Sequence, residues 1–232
     1  MTATDIFAGT AVACIRGERA VFAGLDFTLE SGGALVLTGN NGSGKSSLLR
    51  LMAGLLPAAA GSLSWNGIAT MEEPEIHRQR IAYLGHLSAT KALLTPLEDV
   101  AFWLRYRAPA LSRAAVTTRA QENLAWAGLG GLGDMPCRFL SAGQRQRLAL
   151  ARLTAHPTAR LWLLDEPTTG LDSAGVAALT ARMASHRAQG GMVIAATHQP
   201  LDLPQAQTLD LGIFARRRAE AGPHGAPLDD VA

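Results

Sequence analysis

Gly39-Asn40-Asn41-Gly42-Ser43-Gly44-Lys45-Ser46 is the stretch on which the rest of the chain turns. The apolar run Ala34–Thr38 precedes it, and Ser47, Leu48, Leu49 and Met52 open a helical pattern after it. Strand, glycine-rich turn and helix in that order, at the spacing G-x-x-x-x-G-K-[ST], form a phosphate cradle. Glycines allow the backbone to turn its N–H groups inward and approach an anion closely. The positive end of the following helix adds to that field. Lys45 would reach the β- and γ-phosphates of a nucleotide, and the Ser46 hydroxyl would ligate Mg²⁺. The plainer alternative is a glycine-rich turn, and the strand before it and helix after it weigh against that.

Working outward, further short apolar runs lie at Ile81–Leu84, Leu161–Leu164 and Met192–Ala196. Nearly continuous runs of this length belong to strands covered on both faces, as in a parallel sheet between helices. Thr95-Pro96-Leu97-Glu98 reads as a capping box with proline in the first turn, opening a helix through Trp103 and Tyr106. A second helix is expected from Gln144 to Ala155, and a third from a cap at Asp172 to Gln189. Gly61–Trp65 followed by Asn66-Gly67 reads as a strand entering a hairpin. The alternation of strands and helices predicts a doubly wound α/β core with an edge antiparallel part. Residues 88–140 are expected to be an inserted helical subdomain of one domain spanning 1–214, with 215–232 as a flexible tail.

With 48% hydrophobic and 17% charged residues over 232 positions, the chain can bury a core, which excludes disorder as its main state. A net charge of +2 gives no electrostatic case for nucleic acid. Lys45 and Lys91 are the only lysines, the other basic residues being arginine. Cys14 and Cys137 match no metal-ligand spacing and are expected as reduced thiols. No signal peptide is read at the start, and no run approaches the roughly 18 apolar residues of a membrane span.

Two more stretches carry chemistry. Arg160-Leu161-Trp162-Leu163-Leu164-Asp165-Glu166 is an apolar strand ending in two carboxylates. Asp165 fits a group holding Mg²⁺ through water, and Glu166 a general base that polarises an attacking water. A strand ending in solvated acids is the alternative. Leu140-Ser141-Ala142-Gly143-Gln144, before the basic Arg145-Gln146-Arg147, reads alone as an ordinary serine cap.

Together these motifs resemble the ATP-binding subunits of ABC transporters over nearly the whole chain. Leu140–Gln144 is similar to that family's LSGGQ signature, with Ala142 for the first glycine. Asp165-Glu166-Pro167-Thr168-Thr169-Gly170-Leu171-Asp172 resembles its Walker B strand and D-loop, and Thr197-His198 its switch histidine. The resemblance implies the P-loop ABC ATPase fold and a head-to-tail dimer with a second copy of the chain. ATP and Mg²⁺ would lie between one copy's Gly39–Ser47 and the other's Ser141, Ala142, Gly143 and Gln144, with Asp172 alongside. Glu166 and His198 would be catalytic.

Three positions depart from the family pattern. Asn40 replaces a usual proline, Arg16 stands at the usually aromatic adenine-stacking position, and His86 takes the place of the Q-loop glutamine. A guanidinium stacks on a base, and His86 would sense Mg²⁺ and water with a pH dependence of its own; a plain loop histidine is the alternative. Cys14-Ile15-Arg16-Gly17-Glu18-Arg19 and Tyr83-Leu84-Gly85-His86, with Lys91 and Leu94-Thr95, resemble one branch of the family, the CcmA ATPases of bacterial cytochrome c maturation. That likeness implies a peripheral ATPase on the cytoplasmic face of the bacterial inner membrane. Its partners would be a multi-spanning CcmB-like permease and CcmC-like and CcmD-like proteins, and its role haem export or release of a haem-loaded chaperone.

The motor of another small-molecule exporter stays open. A soluble ATPase acting on DNA or ribosomes is disfavoured, since one cassette with about 95 residues between Lys45 and Leu140 carries no heptads. Intact Lys45, Asp165, Glu166 and His198 disfavour a dead regulator.

Overall fold

The computed structural model describes residues 4–85, 90–199 and 201–214. His86 and the 215–232 stretch lie outside the described residues. In chain order the elements are β1 (Ile6–Arg16), β2 (Arg19–Glu30), β3 (Ala34–Thr38), α1 (Lys45–Met52), β4 (Ala60–Trp65), β5 (Ile68–Ala69), α2 (Pro74–Arg80) and β6 (Ile81–Leu84). Then follow α3 (Pro96–Arg107), α4 (Arg113–Trp126), α5 (Ala142–Thr154), β7 (Leu161–Asp165), α6 (Ser173–Ala188), β8 (Met192–Ala196) and β9 (Gln207–Asp210). Two sheets result: an antiparallel one in the order β2-β1-β4-β5 and a parallel one in the order β6-β7-β8-β3-β9. This is the α/β arrangement that the apolar runs predict, with the antiparallel part at the side.

The parallel strands are apolar at nearly every position because both of their faces are covered. Leu35 and Leu37, Leu161 and Leu163, and Met192 and Ile194 enter a cluster with α1 and the antiparallel sheet. Trp162 and Leu164, Val193 and Ala195 enter a second cluster with α5 and α6. Within α1, Leu48, Leu49 and Met52 are fully buried, each worth roughly 1.5–3 kcal/mol. They fasten the helix that follows the phosphate loop to the sheet that precedes it.

A third cluster, with Val100, Leu104, Val116, Leu124 and Leu148, joins α3, α4 and one side of α5. Thr95 and Glu98 form the capping box at the start of α3, Glu98 N donating to Thr95 Oγ1 at 3.2 Å and Thr95 N to Glu98 Oε2 at 2.8 Å. Inside this layer Arg152 on α5 faces Asp99 on α3 at 3.5 Å. Burial pushes the Asp99 carboxyl up, and Arg152 opposes that shift. Cys14 and Cys137 are buried free thiols in the first and third clusters.

Two buried histidines, His77 and His156, and the half-buried His186 are neutral parts of the framework. Trp65 Nε1 donates to His77 Nδ1 at 2.9 Å, so the proton sits on His77 Nε2, 2.8 Å from the Met52 carbonyl at the end of α1. His186 on α6 stacks on Trp162, ring centroids 4.2 Å apart, and His156 follows α5. Burial first, then the Arg107 charge, pushes His156 down to about 4, and burial does the same to His186.

These two rings bind a proton in the unfolded chain below about 6.5 but in the folded protein only near 4, so their stabilising share is complete above the unfolded value and is lost as pH falls toward 4. Urea unfolding should therefore show a free energy lower at pH 5 than at pH 7, by about 1–2 kcal/mol for each ring. His186→Gln should flatten the slope of stability against pH by up to about one proton. An unchanged slope in that variant would contradict a neutral His186.

Candidate active site

The strands β3, β7 and β8 all end at one edge of the parallel sheet, and each hands the chain to a group that the sequence singles out. Lys45–Ser46 follow β3, Asp165–Glu166 close β7, and Thr197–His198 follow β8. In an open α/β sheet the carboxyl ends of the strands are where ligands bind, since elsewhere helices cover the faces.

The phosphate loop has the conformation its glycines allow. Gly39 and Gly44 lie at φ 128° and 103°, and Gly44 is the residue from which α1 starts. A Cβ on Gly44 would sit 2.5 Å from Val21 Cγ1 and 3.0 Å from the Phe22 ring, so the β1–β2 hairpin presses on the loop where only glycine fits. Arg16 and Arg19 face each other at the tip of this hairpin, both exposed. Asn40, Asn41 and Gly42 are on the open side, Ser47 is half-buried, and Ser43 Oγ is buried with no hydrogen-bond partner. The Lys45 ammonium, buried with its side chain over the loop, donates to the Gly39 carbonyl at 2.7 Å and to the Asn40 carbonyl at 3.3 Å.

Ser46 Oγ donates to Asp165 Oδ1 at 3.1 Å. Asp165 is 2% exposed, and its Oδ2 is buried without a partner. A hydroxyl and a carboxylate with an unused oxygen fit a hard divalent cation. Among the described residues no three His, Cys, Asp or Glu converge on one point, so a cation here would complete its shell with phosphate oxygens and water.

Glu166 is a non-glycine residue at φ 50°, a conformation that costs about 1 kcal/mol or more. It is held there because Glu166 N donates to the Ala196 carbonyl at 2.8 Å. The carboxylate accepts from His198 N at 3.3 Å and lies 3.5 Å from His198 Nε2. His198 is half-exposed, whereas Glu166 retains 17% of its side-chain surface. The strained residue thus aims its carboxylate along the sheet edge at the histidine of the next strand.

Ser141, Ala142, Gly143 and Gln144 lie apart from these groups in the same chain. Ser141 caps α5 through a capping box, its Oγ accepting from Gln144 N at 3.2 Å while Gln144 Oε1 accepts from Ser141 N at 2.8 Å. Ser141 and Ala142 are exposed. Among the described residues no hydrogen bond links the four to the phosphate loop. The start of α5 is instead tied to the segment after Glu166. A Cβ on Gly143 would meet the Gly170 carbonyl at 2.8 Å, and Gln146 Nε2 donates to the Pro167 carbonyl at 3.4 Å. Arg147 Nη2 pairs with Asp172 Oδ1 at 2.7 Å. Asp172 also caps α6, accepting from Gly175 N at 2.9 Å, and that bond and then Arg147 lower its pKa.

Arg147, Gln146 and Gly170 escape a reading of the sequence as site residues. Their only signal was proximity in sequence to the motifs, and their contacts need the folded chain.

The comparisons agree with this geometry. The family model described as ABC transporter matches residues 22–169, which takes in the phosphate loop, Ser141–Gln144 and Asp165–Glu166. The cytochrome c biogenesis ATP-binding export protein CcmA of Paramagnetospirillum magneticum is 51% identical over 209 residues, covering 90% of this chain and 95% of that protein. The protein of the same name from Rhodospirillum rubrum is 52% identical over 213 residues, covering 92% and 88%. That of Escherichia coli K12 is 42% identical over 206 residues, covering 89% and 95%. Among solved structures, an ATP-binding subunit of an ABC transporter superposes with a TM-score of 0.72 at 26% identity over 83% of this chain and 79% of its own. A dimeric ATP-binding cassette in a post-hydrolysis state with ADP and Pi gives 0.73 at 27% identity, over 83% and 88%. With the family's motifs placed at the carboxyl edge of its sheet and relatives matched along nine-tenths of its length, this chain belongs to the ABC transporter family, in its CcmA group.

Proposed function

We propose that this chain is the ATP-hydrolysing motor subunit of a haem-handling ABC complex in c-type cytochrome biogenesis. Its cycle of ATP binding and hydrolysis drives haem export or release of a haem-loaded chaperone. The observation that carries the ATPase reading is the convergence of Lys45, Ser46, Asp165, Glu166 and His198 at one sheet edge. The observation that carries the haem reading is the likeness to proteins named for cytochrome c biogenesis at 51% and 52% identity.

In this reading Gly39–Ser47 bind the phosphates through backbone N–H groups, and Lys45 exchanges the Gly39 and Asn40 carbonyls for phosphate oxygens. Ser46 and Asp165 would hold Mg²⁺, which would supply charge neutralisation to the phosphates. Glu166 accepts a proton from the attacking water, and His198, whose backbone N–H meets the same carboxylate, orients the γ-phosphate. His86 would sense the metal and the attacking water, and Arg16 would stack on the adenine. The Ser141–Gln144 end of α5, exposed at Ser141 and Ala142, belongs to the site of a second copy, which explains its separation from the phosphate loop within one chain. Asp172 then sits at the dimer seam.

Residues 1–214 act as one ATP-binding domain in which 88–140 form the helical subdomain. No helix among the described residues is long and apolar enough to cross a membrane, so the motor needs a multi-spanning CcmB-like partner, with CcmC-like and CcmD-like proteins, at the cytoplasmic face of the inner membrane. An exporter of another small molecule is the competing reading, with the same residues and a different partner.

Lys45→Ala should reduce ATP binding or turnover by at least about 100-fold, and near-normal hydrolysis by the pure variant would remove the phosphate-loop assignment. Glu166→Gln should bind ATP while hydrolysing it about 100-fold or more slowly, and with ATP and Mg²⁺ it should run as a dimer in size-exclusion chromatography. A variant that hydrolyses at the parent rate would clear Glu166 of the base role. For the cargo, cells carrying only Lys45→Ala, with expression verified by blot, should lose covalently attached haem in stained denaturing gels and keep their haem b enzymes. Unchanged haem c would transfer the motor to another exporter.

A further inference from the structure

Arg16 and Arg19 are partners across the two-residue turn Gly17-Glu18 that closes the β1–β2 hairpin, with Gly17 at φ 60°. Both are exposed, and like charges directly opposite each other on a ladder destabilise it. Among the described residues no carboxylate, that of Glu18 in the turn included, forms an ion pair with either. The fold thus keeps two unmatched guanidinium groups side by side at the hairpin tip.

The register shows which way the pair faces. Cys14 stands two residues before Arg16 on β1 and is partnered with Phe22 on β2, so Arg16 and Arg19 share the face of Cys14 and Phe22. In keeping with this, Arg16 is close enough to Cys14 for its charge to oppose the rise in the thiol's pKa. Phe22 and its neighbour Val21 are the side chains that a Cβ on Gly44 would meet. The arginines therefore lie on the face that presses on the phosphate loop, further along toward the tip. The aromatics of the two strands, Phe7, Phe22 and Phe27, are at most 8% exposed and belong to the core. Two guanidinium planes are the flat side chains that the tip offers to a base.

A guanidinium carries donors only. Guanine presents two acceptors side by side, O6 and N7, which match that fork, whereas adenine presents N7 beside an amino group that is itself a donor. We propose that Arg19 reads the purine edge, donating to O6 and N7 of guanine while Arg16 lies against the ring, so that the site takes guanine and hypoxanthine nucleotides in preference to adenine. The inference rests on the nucleotide-binding reading above and adds the base that the site selects. Each cation then exchanges the repulsion of its neighbour for acceptor atoms or a π face. Arginines serving only to attract phosphate would show no choice of base, since the phosphates of all nucleoside triphosphates are alike. ATP remains a substrate, because stacking on Arg16 and a bond to N7 are open to either purine.

The test measures displacement of a ribose-labelled ATP analogue from the purified full chain by ATP, GTP and ITP in the presence of Mg²⁺. GTP and ITP should each compete about fivefold or more better than ATP. Arg19→Ala should bring GTP and ATP to the same affinity. Arg19→Gln, whose amide fits the N6 and N7 edge of adenine, should reverse their order. Arg16→Ala should weaken all three nucleotides several-fold with little change in their ratio, and Arg16→Tyr, which supplies a ring, should restore them. Equal affinity of the unaltered chain for ATP and GTP, or a ratio that Arg19→Gln leaves unchanged, would overturn the proposal. Failure of the unaltered chain to bind any of the three nucleotides would instead remove the phosphate-loop reading beneath it.

Discussion

The hydrogen bond between Ser46 and Asp165 joins residues 119 positions apart, and it exists because the sheet leaves polar groups only one place to go. Both faces of β3, β7 and β8 are lined by buried Leu, Ile, Val, Ala, Met and Trp. A charged side chain within those strands would be taken out of water without compensation. At the carboxyl ends the cover stops, and there Ser46, Asp165, Glu166 and His198 come together. The adverse φ of Glu166 survives because its N–H is already held by the Ala196 carbonyl on the neighbouring strand.

A second constraint is the double duty of α5. Leu148 and Ala151 pack into the helical layer, while Ala149, Leu150 and Leu153 pack onto the sheet. The N-terminal end of the same helix carries Ser141–Gln144 and touches Gly170, and its middle pairs Arg147 with Asp172. The helix cannot tilt without moving the helical layer and the segment that follows Glu166. In an assembly where Ser141–Gln144 grip a nucleotide held by another copy, that stiffness makes clamping at one site felt at the base of the other, by contact alone.

The parallel strands were legible because burial on both faces writes itself as unbroken apolar runs, and β3, β6 and β8 begin and end at the expected residues. The capping box at Thr95 was legible for a similar reason, since its signal is local. The β1–β2 hairpin was not. Register shifts between Gly9 and Val12, Val12 and Cys14, and Cys14 and Ile15, with Ala11 at φ 48°, break the two-residue alternation that marks a strand with one covered face. The edge strand β9, Gln207–Asp210, has no buried residue and so no pattern to read. Helix α2 is preceded by Glu73, whose side chain makes no cap. In the site, the motifs announced which residues mattered, but the orphaned Asp165 Oδ2 and the contact of Gly143 with Gly170 depend on the fold bringing distant segments together.

Cys14 and Cys137 are 2% and 1% exposed, one on strand β1 of the antiparallel sheet and one in the core of the helical layer. Burial raises both thiols above their ordinary range, outweighing Arg16 at Cys14 and assisted by Asp99 at Cys137. A thiol that is both shielded and protonated is a poor nucleophile toward oxidants and alkylating reagents. To an external reagent the folded protein therefore presents no reactive thiol, although the sequence carries two cysteines. Single labelled positions can be introduced on the open face of α3 or at the tip of the β1–β2 hairpin with the native cysteines left in place. Distances between such labels would then follow the opening and closing of the motor in an otherwise unaltered chain.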